Sequence, residues 1–143
     1  MPLPTTAAEL FDMLAADTAI SDGLGTYTFL DGTTQPAMVP VFSNENLPPG
    51  TRIDGIEITI TRMPLYGPQA TYSSVLLNPT FRIYIAAWGD ASTLQSMTER
   101  VMALLPGATS RSIEGDKPGA GLGLIDQSVV AWTNPTAVVS ANV

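Results

Sequence analysis

The chain has 143 residues and a net charge of −7, with 13 acids against six basic residues, of which Lys117 is the one lysine. It holds no histidine and no cysteine, 45% of it is hydrophobic, and only 13% is charged. Such a length fits one domain with a sizeable core, the apolar content excludes a disordered chain, and the missing residue types remove disulfides, thiolate nucleophiles and histidine-based catalysis.

Residues 5–20 read as a short helix. Thr6 and Glu9 stand at capping-box spacing, and Ala7, Leu10, Phe11 and Leu14 share one face. Asp17 and Thr18 weaken the pattern, and Ser21-Asp22-Gly23 ends it. Residues 25–42 predict a β-hairpin. Its first strand is β-prone, Asp31-Gly32 is its turn, and residues 37–42 return. Pro36 and Pro40 confine that return to an edge or a bulge. Residues 43–52 form a loop around Pro48-Pro49-Gly50. A strand follows over 55–62, with Ile56, Ile58 and Ile60 on one side and Glu57, Thr59 and Thr61 on the other.

Residues 63–78 carry Pro64, Gly67 and Pro68 as breakers, yet also Leu65, Tyr66, Tyr72 and Leu76. A long loop or projecting hairpin with that apolar content predicts a contact arm ordered by a partner. A strand over 79–88 then runs into a helix over 91–105. Phe81, Ile83 and Ile85 alternate with Arg82, Tyr84 and Ala86, and Leu94, Met97, Val101, Leu104 and Leu105 stack on one helical face. Asp90 or Ser92 is the expected cap and Pro106-Gly107 the stop. A short strand over 109–113, a Gly-rich loop over 114–123 and a strand over 124–133 ended by Asn134-Pro135 follow. Residues 136–143 are a last strand or a docked tail. The predicted fold is α+β: a mainly antiparallel sheet with one long amphipathic helix packed on it and a short N-terminal helix. It forms a single domain over 1–143, with the arm at about 63–78 projecting from it.

Few residues could carry chemistry. Asp54 with Glu57 reads as a solvated strand edge, and Glu114 with Asp116 as a charged turn. The glycines at 115–123 match neither a P-loop nor a dinucleotide fingerprint, and no nucleophile elbow occurs. The expectation is a protein that is not an enzyme and needs no cofactor or metal. Trp88 and Trp132 read as core or interface aromatics, because basic neighbours for a base-stacking platform are missing. The absence of clustered Lys and Arg argues against tight nucleic-acid binding, while an acidic wall lets nucleic acid pass without sticking. No window reaches 18 apolar residues, so no membrane-spanning helix is expected. Low charge leaves much of the surface uncharged or covered by other chains. Arg62, at the end of the Ile strand, and Arg82, on the polar side of its own strand, are candidates for intersubunit pairing with carboxylates.

The run Phe81-Arg-Ile-Tyr-Ile-Ala-Ala-Trp-Gly-Asp, followed by the Leu94 to Leu105 face, resembles the strand and long helix of tail terminator and tail-completion proteins of long-tailed bacteriophages. The opening helix and Pro36-Ala37-Met38-Val39-Pro40 are similar to that family's first helix and early strand. The resemblance covers most of the chain as an order of elements. It implies a virion protein, assembled in the host cytoplasm, that forms a homo-oligomeric ring, commonly a hexamer, at the head-proximal end of the tail. Such a ring stops tube polymerisation, docks the head connector or stopper protein, and passes DNA through its lumen without specific binding. Its partners would be further copies of itself, the tail tube protein and the connector, with sheath as a further candidate and no membrane. Leu65, Tyr66, Tyr72 and Leu76 would be the contact-arm residues, and Arg62 and Arg82 their ionic companions. Other readings are a different neck component (stopper or head-completion protein), a small metal-dependent hydrolase, and a ligand-binding domain with Trp88 and Trp132 lining its pocket.

Overall fold

The computed structural model describes residues 3–41, 50–62, 75–89, 93–112, 124–135 and 139–141. Helix α1 (Ala7–Ala16) starts at the predicted cap, where the Thr6 hydroxyl accepts the Glu9 N–H at 3.1 Å. The reciprocal half of the box is taken over by Thr5, whose hydroxyl donates to the Glu9 carboxylate at 2.8 Å. The helix does not run on to residue 20. Asp17 adopts extended backbone (φ −80°, ψ 119°), and its N–H closes α1 on the Leu14 carbonyl at 3.2 Å. Its carboxylate then opens a second helix, α2 (Thr18–Gly23), by accepting the Ile20 N–H at 3.1 Å. A short carboxylate that bonds local backbone competes with helix continuation, so the one predicted helix is two.

The main sheet has seven strands: β1 (Thr26–Thr28), β2 (Thr34–Pro36), β3 (Met38–Val41), β4 (Arg52–Arg62), β6 (Thr80–Trp88), β7 (Thr109–Ser112) and β8 (Leu124–Thr133). Their order is β2-β1-β4-β6-β8-β7, and β3 also pairs with β4. A separate two-stranded sheet joins β5 (Val75–Leu77) to β9 (Val139–Ala141). Every pairing is antiparallel except β3 with β4. The coarse fold class therefore stands: mostly antiparallel sheet with three helices. Residues 136–143 include a strand, and the end of the 63–78 segment is one too; residues 63–74 lie outside the described residues.

The predicted hairpin is real but its return strand is Thr34–Pro36, not 37–42. The Phe29 carbonyl accepts the Gly32 N–H at 2.9 Å, and Gly32 takes φ 88°, a left-handed value that suits glycine. The Asp31 side chain accepts the Thr33 N–H at 2.9 Å and locks the turn. Beyond Pro36 the chain leaves the outer edge and steps inward to pair with β4 as β3. Gly25 and Gly55 permit that step. A Cβ on Gly25 would collide with the Asp54 carbonyl, and one on Gly55 (φ 86°) would lie 2.7 Å from the Gly25 Cα. β1 thus starts at the point where β3 takes over the same edge of β4: Gly25 N–H donates to Ile56, Ala37 N–H to Gly25, and Ile58 N–H to Ala37. β4 also begins earlier than predicted, at Arg52, because its first residues pair with β1.

One face of the sheet carries the helices. Ile56, Ile58 and Ile60 stand opposite Ala87, Ile85 and Ile83, and Ile83 stands opposite Val130. All are buried, in one cluster with Leu10, Leu14 and Ile20 from the first two helices and Leu94, Met97 and Val101 from α3 (Leu94–Leu104). At 11 residues α3 is of ordinary length, one more than α1. Its N-cap is Thr93, which makes no side-chain capping bond; the expected caps Asp90 and Ser92 lie outside the described residues. The buried Thr98 hydroxyl reaches Ser128 at 2.7 Å and donates to the Leu94 carbonyl at 2.8 Å, so a polar pair seats α3 on β8 without an unsatisfied group. Arg100 donates to Asp17 through Nε at 3.0 Å and again through Nη2, tying α3 to the α1–α2 junction. This guanidinium holds the Asp17 carboxyl below the usual range for aspartate. Buried Asn134 fastens the chain ends: its Nδ2 donates to the Pro4 carbonyl at 2.8 Å, and its N–H to Pro79 at 2.9 Å.

Candidate functional site

Side chains alternate across a strand, so residues next to the buried isoleucines project from the other face. Among the described residues no helix packs there. The face divides into two parts. At one end Glu57 accepts the Tyr27 hydroxyl at 2.6 Å and the Trp88 indole N–H at 3.0 Å. Tyr27 is fully buried, and Glu57 and Trp88 are half-buried. Burial first, and the adjacent Glu57 charge second, push the Tyr27 phenol well above its ordinary value and keep it protonated. The expected solvated edge at Asp54 and Glu57 is thus half right. Asp54 is exposed, whereas Glu57 is the hub of a three-strand network. The sequence hid this because Tyr27 lies thirty positions away on a strand that reaches Glu57 only through the β1–β4 pairing.

The other end of the face is largely exposed, with Val129 as a buried exception. Arg82 stands opposite Thr61 on one side and Ala131 on the other, and Ala131 opposite Thr109. One row along, Tyr84 stands opposite Val129, and Val129 opposite Arg111. Arg82, Ala131, Thr109 and Arg111 are exposed, and Thr133 beside them shares a 3.0 Å hydroxyl contact with Thr80. The register sets Arg82 and Arg111 two strands and two residues apart, about 12 Å between Cα atoms by strand spacing and rise. Among the described residues the sole ion pair is Arg100 with Asp17, so neither of these two arginines is paired.

Arg82 is therefore where the polar side of its strand predicts. Arg62 lies in register with Phe81, and Leu76 with Ser140. Leu65, Tyr66 and Tyr72 lie outside the described residues, as does the Glu114–Asp116 pair. The tryptophans do not meet. Trp132 is buried on the helix side, stacked on Phe81 at 5.8 Å between ring centres and donating to the Pro106 carbonyl at 2.9 Å. Trp88 projects from the opposite face at the far end of β6, so the two cannot line one pocket.

Two clefts remain. One, of about 310 Å³, lies between α3 and the β7–β8 edge and is lined by Gln95, Thr98, Ser110, Arg111, Asp126 and Ser128 among others. The second, of about 330 Å³, is an apolar groove of Phe11, Leu24, Pro36 and Met38 beside the hairpin base. In the first, the Ser128 hydroxyl is bonded to Thr98. Among the described residues no three of His, Cys, Asp or Glu are placed to share a metal ion, and no helix is long and apolar enough to cross a membrane. Among the described residues Leu30, at the hairpin tip, is the large hydrophobic side chain left most open, at 81% exposure. No family model, curated protein or solved structure matches the chain.

Proposed function

We propose that this chain is a structural virion protein, a tail terminator that assembles as a ring at the head-proximal end of a phage tail. The observation that carries the reading is the open end of the helix-free face. Among the described residues it presents short uncharged side chains and two arginines without an ion pair. Such a surface suits contact with other protein: arginine is favoured at interfaces for its planar, bidentate pairing, and small side chains let backbones approach. In this reading the 11-residue α3 takes the place of the family's long helix, packed on the sheet by Leu94, Met97 and Val101. The contact arm is the segment holding Leu65, Tyr66 and Tyr72, which ends in β5 with Leu76.

The net charge of −7 per chain supports a passage role. A hexamer would carry about −42, and like-charge repulsion lets DNA cross a lumen without adhering. A head-to-tail contact repeated around an axis closes such a ring when the rotation closes. The tube protein would bind one end of the ring and the head connector or stopper the other. Antibody labelling of virions in the electron microscope tests the assignment. Label at the junction of head and tail is the expected result, and label confined to the capsid or to the distal tail tip would refute it.

A further inference from the structure

We propose that the open end of the helix-free sheet face, marked by Arg82 and Arg111, docks on the acidic outer surface of the helix layer of a second copy of this chain. The inference rests on the ring reading and specifies which two surfaces meet. Charge is sorted across the two layers. Glu9 and Asp12 on α1, Asp22 on α2 and Glu99 on α3 are exposed on the helix layer. The one arginine among them, Arg100, is already paired with Asp17. The sheet face carries Arg82 and, on the edge strand β7 where it also borders the cleft beside α3, Arg111; the acid Glu57 sits at the covered end with its donors supplied by Tyr27 and Trp88. Among the described residues the helix layer therefore shows carboxylates without an ion pair, and the sheet face shows guanidinium groups without one.

Two different patches on opposite sides of a subunit make a heterologous contact, which propagates head to tail and closes into a ring or runs on as a filament. An isologous pair would set arginines against arginines or acids against acids, and like-charge juxtaposition disfavours both. Copies at −7 repel one another overall, so association depends on where the few arginines stand. Arg82 and Arg111 flank Ala131 and Thr109, whose short side chains leave the sheet flat enough for a helix layer to approach.

Paired charge reversals test this by sedimentation velocity on the full chain. The wild type is expected to self-associate, more weakly at about 500 mM than at about 50 mM salt, since exposed pairs are screened. The variant R82E/R111E should associate at least about 100-fold more weakly, and so should D12R/D22R, because each places like charges face to face. Mixed in equal amounts, the two variants should recover assembly: the reversed sheet face of one meets the reversed helix face of the other, and the remaining contacts are native. Circular dichroism of each variant checks that the fold is intact. A wild type that stays monomeric, reversals that leave its association unchanged, or folded variants that do not recover on mixing would each overturn the inference. Rings that still cap tail tubes despite both reversals would sink this docking mode and leave the terminator reading in place. Failure of the wild type to cap tubes would sink the terminator reading.

Discussion

The two faces of the main sheet are made by the same strands and obey different rules. On the helix face each position is fixed by packing: Ile58 and Ile85 are fully buried, and even the polar members, Thr98 and Ser128, are bonded to each other. On the other face the Tyr27–Glu57–Trp88 end is constrained by hydrogen bonds, whereas at the other end Arg82 and Arg111 make no ion pair among the described residues. The difference separates residues that stabilise the subunit from residues free to serve contact with something else. Five substitutions at four positions would sharpen or break that division.

The largest effect is expected on the helix face. Ile58→Ala should cost about 2–5 kcal/mol in urea unfolding, through lost transfer energy and the cavity left behind. A cost near that of a surface change would mean that the helix layer does not pack as described. Next comes the constrained end of the other face. Tyr27→Phe removes a bond to a charged acceptor and should cost about 1.5–3 kcal/mol. It should also alter the alkaline limb. The folded phenol titrates above its unfolded value of about 10, so its contribution is complete below that pH and fades as the pH rises past it. The wild type should lose stability there more steeply than the variant.

The helix junction is expected to be intermediate. Asp17→Ala removes a cap and should cost about 1 kcal/mol. Asp17→Asn keeps a capping side chain but not the charge that pairs with Arg100. Because the folded Asp17 titrates below its unfolded value of about 3.9, its contribution is present above that pH and disappears as the pH falls through the folded value. The stability gap between wild type and Asp17→Asn should thus be steady near neutrality and close in acid. A gap that widens in acid would contradict the pairing. Smallest of all, Arg82→Ser should change monomer stability by no more than about 0.5 kcal/mol. A large loss would show that Arg82 serves the fold and is not free for a partner.

Period explains most of what was legible in the sequence. The alternation at 55–62 and 79–88 and the 3.6-residue spacing after Leu94 each belong to an element whose burial is one-sided, so the apolar residues report the face directly. What escaped detection depends on contacts distant in the chain. The break at Asp17 is stabilised by Arg100, 83 positions away. The inward step from β2 to β3 depends on the close approach of Gly25 to Gly55, which looks from the sequence like two ordinary turn glycines. Glu57 looked solvated because neither of its donors is a neighbour. Of the interface candidates only Arg82 could be placed with its surroundings, since a polar side chain alternating with buried isoleucines has one direction left to point.

The most direct test of the terminator assignment is polymerisation of the cognate tail tube protein with and without this chain, followed by electron microscopy. The assignment predicts tubes that stop growing and carry a ring at one end. Tubes that lengthen unchanged with bare ends, at any ratio of the two proteins, would contradict it.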